Sequence, residues 1–365
     1  MKYILTNIPN FIVNDDYDFI NLNKTEKDLH PVKLMGKNAG NCMFWESTKK
    51  IIQNQTSCEL LYFRTFDENK ENYIDKIESV VLVLANNINS ASYTHLNVYH
   101  NSIKDLNCKK YLFSIGAQNK TLDMRKFTEQ EIVVYNKFFP CFEYAYLRGQ
   151  YTYDLLKYNN VSLSNAKVLG CPSILLKPID TDGMKEKFNK LKNKSNDELK
   201  VGINFPNYNQ HRKLYDSFTN IMNDIDVFTL VVDGINWYDF VNNNKKLKIK
   251  NADKLEKNKD NLKFSNNVFK LMDFFANKTD FMLGTRIHGT VLGLCAGLPS
   301  MCIAIDSRTY ELCEQMNIPY INCISKPIDF KNKNELIEIF KNNFDLSKMD
   351  AFKKTISNNK NLYKI

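Results

Sequence analysis

An arginine and a histidine two residues apart, Arg286 and His288, stand inside the run Gly284-Thr285-Arg286-Ile287-His288-Gly289-Thr290. Arginine presents a planar cationic fork that matches carboxylates and phosphates. Histidine changes charge near neutral pH. Together they can hold an anion and move a proton. Asp280-Phe281-Met282-Leu283 before them reads as a short strand, and Val291-Leu292-Gly293-Leu294-Cys295-Ala296 after them as a buried helix. A turn from strand to helix is where open parallel α/β sheets bind ligands. The free N–H groups of a helix N-terminus there suit a phosphate or carboxylate. The same residues also fit a plain helix cap with a surface arginine and a core histidine.

These residues need elements to hold them. Short apolar runs alternate with helical-period segments, the signature of an α/β fold. Strands are predicted over 80–84, 111–115, 144–147 and 167–169, and a helix over 151–158. The strand ends carry Gly116-Ala117-Gln118, Arg148-Gly149 and Gly170-Cys171-Pro172. A polar, Lys-rich stretch over 177–199 has few large apolar residues and reads as an interdomain connection. A second series of strands is predicted over 200–204, 227–232, 280–283 and 300–305. The segment 334–365 reads as helical, able to fold back on the first domain. The expected organisation is a Rossmann-like N-terminal domain over 1–180, a Rossmann-like C-terminal domain over 198–335 and a helical tail over 336–365. Two such domains enclose a cleft, a preferred place for ligands. Asn38, Gln118 and Arg148 from the first half, and Asn204, Arg286, His288 and Asp306 from the second, would face it.

Composition narrows the partners. The 365 residues favour two domains, and with 43% hydrophobic residues each can bury a core. The net charge of +9 comes from 50 Lys and Arg against 41 Asp and Glu. With no dense basic arm, that excess favours an anionic substrate or surface over a nucleic acid. The Lys- and Asn-rich segments 243–263 and 352–364 read as solvated faces. The nine cysteines form no C-x-x-C pair, and several sit in apolar runs, which fits reduced thiols in a cytoplasmic protein. Five scattered histidines give no zinc spacing, and no converging carboxylates suggest a magnesium site. No Gly-x-Gly-x-x-Gly or Walker pattern calls for NAD or ATP. No secretory leader or spanning segment is expected, which leaves room for peripheral work at the inner face of a membrane. Trp237-Tyr238-Asp239 fits either a helix face or a sugar-stacking platform. Gly202-Ile203-Asn204-Phe205-Pro206-Asn207 fits either an ordinary turn or a wall of the donor pocket.

The blocks in order resemble the polysaccharide pyruvyl transferase family. The Gly284–Thr290 run, Ala296-Gly297-Leu298-Pro299 and Ile303-Ala304-Ile305-Asp306-Ser307-Arg308-Thr309 look like its C-terminal signature. Leu147-Arg148-Gly149-Gln150-Tyr151-Thr152, Leu169-Gly170-Cys171-Pro172-Ser173, Ser114-Ile115-Gly116-Ala117-Gln118 and Gly36-Lys37-Asn38-Ala39-Gly40-Asn41 match earlier blocks. Each block is short; their joint order over 36–318 is the specific feature. The resemblance implies two Rossmann-like domains arranged as in GT-B glycosyltransferases. It implies transfer of an enolpyruvyl unit from phosphoenolpyruvate, the donor substrate, to two hydroxyls of a glycan or lipid-linked sugar, without a further cofactor. It carries the family's donor-site roles to Arg286 and His288, and that of the strand-end arginine to Arg148. Two positions depart from the pattern. Gly149 stands where many members have an aspartate, and Asn41 where many have an acidic residue.

The residue types suit that chemistry. Phosphoenolpyruvate carries a phosphate and a carboxylate close together, and Arg148 and Arg286 can clamp them bidentately. His288 can protonate the methylene carbon or donate to the leaving phosphate. Asp306 can act as base or simply cap the helix that follows it. Arg308 can pair with Asp306 or reach the donor. Asn38, Gly40, Asn41, Gln118, Asn204, Gly284, Thr285, Gly289 and Thr290 are expected to line the substrates. Two other readings fit the same fold: a glycosyltransferase holding a nucleotide sugar's diphosphate on Arg286 and His288, and a carbohydrate-binding protein without chemistry.

Overall fold

The structure is a computed structural model, which describes residues 1–9, 33, 35, 38–204, 212–222, 224–231, 239, 241–243, 256 and 258–365. Two parallel sheets organise it. The first holds β1 (Tyr3–Thr6), β2 (Glu59–Tyr62), β3 (Ile77–Val83), β4 (Lys109–Ile115), β5 (Tyr144–Leu147) and β6 (Ala166–Val168), in the spatial order β2-β1-β3-β4-β5-β6. The second holds β7 (Val201–Asn204), β8 (Val227–Leu230), β9 (Leu262–Lys263), β10 (Phe281–Gly284), β11 (Ser300–Ala304) and β12 (Tyr320–Asn322), in the order β12-β11-β10-β7-β8-β9. The chain order reverses between β1 and β3 in one sheet and between β7 and β10 in the other. Such switch points open ligand crevices at the carboxyl ends of strands. The architecture is therefore α/β with two Rossmann-like halves.

Most strands predicted from continuous apolar runs are buried on both faces, as parallel sheets covered by helices require; the exceptions are edge strand β6, predicted although none of its residues is buried, and the buried β1, which the runs do not show. β10 and β11 are buried throughout. The strands without such runs escape notice. β2 and β12 lie at sheet edges with half-exposed residues, and β9 has two residues.

Helices α1 (Asn41–Gln55), α2 (Phe63–Glu68), α3 (Lys70–Tyr73), α4 (Tyr93–Ile103), α5 (Glu129–Phe138) and α6 (Gln150–Tyr158) serve the first sheet. α7 (Thr181–Lys192) follows. Helices α8 (Arg212–Ile221), α9 (Val268–Lys278), α10 (Ile287–Cys295) and α11 (Ser307–Met316) serve the second, and α12 (Lys333–Asn343) and α13 (Leu346–Asn359) close the chain. Every residue of α10 is buried. A Cβ on its Gly293 would lie 2.3 Å from Ser300 Oγ and 2.8 Å from Met282 Sδ, so the glycine lets α10 press onto β10 and β11. The stretch read as a polar connection contains α7, which buries Met184, Phe188 and Leu191. Phe188 packs on Phe340 and Phe344 with ring centroids 5.9 and 4.5 Å away. Helical spacing gathers those few apolar residues on one face, which composition alone conceals.

After α13 the chain re-enters the first half. Tyr363 is 2% exposed and packs against Phe113 and Tyr146, with centroids 5.1 and 5.0 Å away. Asn359 Nδ2 donates to Leu169 O (2.7 Å), the Tyr363 hydroxyl to Gly170 O (3.3 Å), and Gln55 Nε2 to Tyr363 O (2.7 Å). Removing a buried aromatic ring typically costs about 3–5 kcal/mol. Tyr363→Ala should lower the unfolding free energy by about that much in urea titrations. A loss under about 1 kcal/mol would mean the ring is not part of this core.

Candidate active site

The second switch point is built on Asn204, the last residue of β7. Its side chain is fully buried. Its Oδ1 accepts from the Arg286 backbone N–H at 2.6 Å, and its carbonyl from the Thr285 N–H at 3.0 Å. A Cβ on Gly284 would lie 1.8 Å from Asn204 O, and one on Gly289 2.6 Å from Asn204 Cγ. The two glycines thus admit Asn204 between β10 and α10. Asn204 is a latch for the turn: it sets Arg286 at the N-cap of α10 and His288 in the first turn. Thr285 and Thr290 are fully buried, and their hydroxyls have no partner among the described residues.

His288 faces the first half. Its ring centroid lies 5.3 Å from that of Phe44 in α1, and its Nε2 lies 3.6 Å from Cys171 Sγ. A Cβ on Gly40 would meet His288 Cβ at 3.0 Å and Nδ1 at 3.2 Å. Gly40 donates its N–H to Asn38 Oδ1 (2.8 Å), Asn41 donates its N–H to Asn38 O (3.0 Å), and Asn41 Nδ2 donates to Met35 O (2.9 Å). Asn38, Gly40 and Asn41 therefore shape the start of α1 against the histidine. Burial, then the charges of Arg148 and Arg308, hold His288 well below the usual imidazole range. It is neutral at pH 7 when the site holds no anion.

Arg148 leaves the end of β5 and is 1% exposed. Its Nε donates to Ser114 O (2.7 Å) and Ser114 Oγ (3.1 Å), and its Nη1 to Asn86 Oδ1 (2.7 Å). Its Nη2 is buried without a partner among the described residues. Ser114 adopts φ +65°, a region non-glycine residues seldom occupy, to end β4 under the guanidinium. A Cβ on Gly116 would lie 2.8 Å from Arg148 Cδ, so that glycine gives the side chain its path. Arg148 Cζ lies 5.6 Å from the centroid of the Phe44 ring. Arg148 and His288, from different sheets, thus meet at one phenylalanine. Burial lowers the Arg148 pKa; Cys171 and Glu311 oppose that, and Arg308 adds to it.

The first turns of α11 carry the rest. Asp306 is the N-cap: its Oδ1 accepts from the Thr309 N–H and hydroxyl, both at 2.8 Å. Its Oδ2 accepts from Gln118 Nε2 at 3.0 Å and faces Arg308 Nη2 at 3.5 Å. Burial pushes this carboxyl up, but Arg308, Thr309 and Gln118 outweigh it, and its pKa falls below the ordinary value. Of the two roles left open for Asp306, these contacts describe the cap. Arg308 Nε is buried without a partner among the described residues. Asn119 and Ser307 exchange hydrogen bonds across the halves, N–H to Oγ at 2.9 Å and N–H to O at 3.0 Å.

Glu311, which with Leu312 ends the C-terminal block of the family resemblance, has no role assigned by the sequence. It is 2% exposed, and its carboxylate accepts from the Thr152 N–H (2.9 Å) and hydroxyl (2.8 Å) at the start of α6. Thr152 Oγ1 in turn accepts from the Ala117 N–H at 2.8 Å. A Cβ on Gly149 would lie 2.7 Å from Glu311 Cβ and Oε2. The residue departing from the family pattern at 149 therefore makes room for a carboxylate from the other half. Of the remaining candidates, Gly36, Lys37, 205–207, Trp237 and Tyr238 lie outside the described residues. Asp239 is buried and accepts from Asn243 Nδ2 at 2.7 Å. Among the described residues no group of three His, Cys, Asp or Glu side chains is placed to hold a metal ion, and no helix is long and apolar enough to cross a membrane.

The family profile described as polysaccharide pyruvyl transferase matches residues 38–307, from the Asn38 turn to the start of α11. The chain belongs to that family. As a polysaccharide pyruvyl transferase family member it is a transferase acting on polysaccharide. No curated protein sequence matches it. Solved structures similar to this family member include Anabaena HepE in complex with UDP and glucose, at 10% identity and TM-score 0.46, covering 99% of this chain and 94% of that one. The wall teichoic acid polymerase TagF is similar at 11% identity and TM-score 0.44, covering 99% and 85%. The Methanocaldococcus jannaschii UDP-GlcNAc 2-epimerase is similar at 9% identity and TM-score 0.40, covering 98% and 100%. The sheet orders above, rather than these likenesses, define the architecture.

Burial pushes Glu311 up to about 7, against the pull of Thr152 and Arg148. Because the folded state holds this proton more tightly than the unfolded chain does, its ionisation reduces stability as pH rises from the ordinary carboxyl range through 7. Glu311→Gln should gain on the wild type by about 1–3 kcal/mol between pH 5 and pH 8 in denaturant melts. A stability difference that does not change with pH would show that Glu311 titrates normally.

Proposed function

We propose that this protein transfers the enolpyruvyl unit of phosphoenolpyruvate to two hydroxyls of a polysaccharide sugar or its lipid-linked precursor, forming a cyclic pyruvate ketal. The observation that carries the reading is the Nη2 of Arg148, buried without a partner among the described residues, beside a neutral histidine and a second arginine. A buried guanidinium N–H without an acceptor costs free energy that an anionic ligand would recover. Two cations and a suppressed imidazolium suit a ligand that brings both a phosphate and a carboxylate.

Each residue then has a task. Arg148 offers Nη2, and Arg308 its guanidinium, to donor oxygens. Arg286 adds a cation at the positive end of α10. The negative charges offset the repulsion that keeps His288 neutral, so the imidazole gains a proton as the donor binds. His288 passes that proton to the methylene carbon, C3, and C2 becomes electrophilic. A sugar hydroxyl attacks C2 and gives up its proton, which restores the one spent on C3. The C2–O bond to phosphate then breaks, the second hydroxyl attacks, and its proton leaves with inorganic phosphate. No electron acceptor or group carrier is needed. This reading puts the work on the cytoplasmic side, where the donor is made, and allows contact with a membrane-borne acceptor.

The test is phosphate release from phosphoenolpyruvate across a panel of glycosides, with product masses checked for the ketal. Release of a nucleoside diphosphate from nucleotide sugars, with none of phosphate from phosphoenolpyruvate, would overturn the proposal. Folded His288→Ala should lose roughly 10²–10⁴-fold in turnover. His288→Gln should recover part of it only if the role is hydrogen bonding. Arg286→Ala should raise KM for phosphoenolpyruvate and lower kcat together, and Arg286→Lys should remain poor for want of the bidentate fork. Normal donor affinity in Arg286→Ala would remove that residue from the donor site.

A further inference from the structure

Among the described residues, the polar atom through which the His288 ring reaches the other half is Cys171 Sγ. Cys171 is 1% exposed and Ser173 fully buried, so the pair sits away from bulk water. Four residues from other parts of the chain fix the segment around them. Asn359 and Tyr363 hold the Leu169 and Gly170 carbonyls. The Cys171 N–H donates to Met316 Sδ in α11 at 3.4 Å. The Ser47 hydroxyl in α1 donates to Pro172 O. Gly170 takes φ +88°, and a Cβ there would lie 2.8 Å from Met316 Cγ, so the loop can pass at this height only with glycine.

Direction follows from the hydrogens available. Ser173 Oγ donates to Cys171 Sγ at 3.2 Å. A thiol has one hydrogen and its sulfur two lone pairs; with Ser173 filling one lone pair, the arrangement that leaves no hydrogen unused has the thiol donate to His288 Nε2 at 3.6 Å. A ring nitrogen that accepts carries no proton, and in neutral imidazole the proton is then on the other nitrogen. Nδ1 lies on the opposite edge, beside Gly40 at the start of α1.

We infer that Cys171 is a positioning residue: backed by Ser173, its thiol holds His288 in the tautomer protonated on Nδ1, the edge turned to the start of α1. The relay acts through His288 and does not itself touch the reacting atoms. Its effect on turnover rests on the proposed role of His288, whereas the tautomer itself does not. Without the relay, the ring of the ligand-free protein reverts to the Nε2-protonated form that histidine ordinarily favours, and the Nδ1 edge must take up its proton before it can donate.

The test reads the tautomer directly. Protein labelled with ¹⁵N-histidine is measured by long-range ¹H–¹⁵N correlation on the alkaline side of neutrality, with the His288 signals assigned by their loss in His288→Gln. The wild type should show a protonated Nδ1 and an unprotonated Nε2. Cys171→Ala should move the proton toward Nε2, and Cys171→Ser, which keeps a donor, should hold it on Nδ1. Turnover of phosphoenolpyruvate by Cys171→Ala should fall at least about tenfold, within the roughly 10²–10⁴-fold that acid–base catalysis supplies. KM should change little, and Cys171→Ser should retain most of kcat. A wild-type His288 protonated on Nε2, or a Cys171→Ala protein still protonated on Nδ1, overturns the inference. If Cys171→Ala fails to fold, Ser173→Ala supplies the second reading: a proton shifted toward Nε2 supports the relay, and one unmoved from Nδ1 overturns it. A wild type inert toward phosphoenolpyruvate would sink the proposed function and leave the spectra to decide the tautomer alone.

Discussion

A guanidinium withdrawn from water must be solvated by protein, and Arg148 imposes that requirement on both halves of this molecule. Burying a charge is tolerated only where hydrogen bonds and compensating charge replace the lost water. Ser114 turns into a left-handed conformation beneath it, Asn86 takes a second nitrogen, Gly116 clears its stem and Phe44 lies against it. Glu311 and Cys171 bring opposing electrostatic influence from outside its own strand. The third nitrogen has no partner among the described residues. The cost of holding this cation is spread over residues from five separate segments of the chain.

The same requirement explains how the halves are joined. A single helix start, α11, sends Asp306 to Gln118, Ser307 to Asn119 and Glu311 to Thr152. Those three contacts grip the turn after β4 and the start of α6, the two segments that follow the strands on either side of the arginine. These contacts are polar and directional, and they stand beside an apolar core that runs continuously through both halves. The geometry of the contacts holds only while each partner stays within hydrogen-bond reach. The halves are thus registered to each other by the neighbours of the candidate active site.

Much of this was legible in the sequence. Strands buried on both faces announce themselves as apolar runs, and their carboxyl ends place Arg148, His288 and Asp306 on the correct side of each sheet. Edge strands such as β2 and β12 carry no such run and were not seen. Polar residues buried by distant partners were also hidden. Glu311 looks like any helical glutamate until Thr152, 159 residues away, is set beside it. Asn204 reads as a pocket residue, yet its side-chain oxygen latches Arg286, 82 residues away. Nothing within a local window distinguishes a ligand contact from a brace, because both require a polar group at a strand end.

The closing segment of the chain has a consequence for biosynthesis. Phe113 and Tyr146 are made early, on β4 and β5, but the ring that covers them belongs to Tyr363. Until that residue leaves the ribosome, the first sheet emerges with an aromatic face exposed and with the carbonyls of Leu169 and Gly170 lacking the donors they have in the finished fold. The N-terminal half therefore cannot complete itself as it is translated. A nascent chain paused after the second sheet still holds Phe113 and Tyr146 without the Tyr363 ring that packs on them in the finished fold.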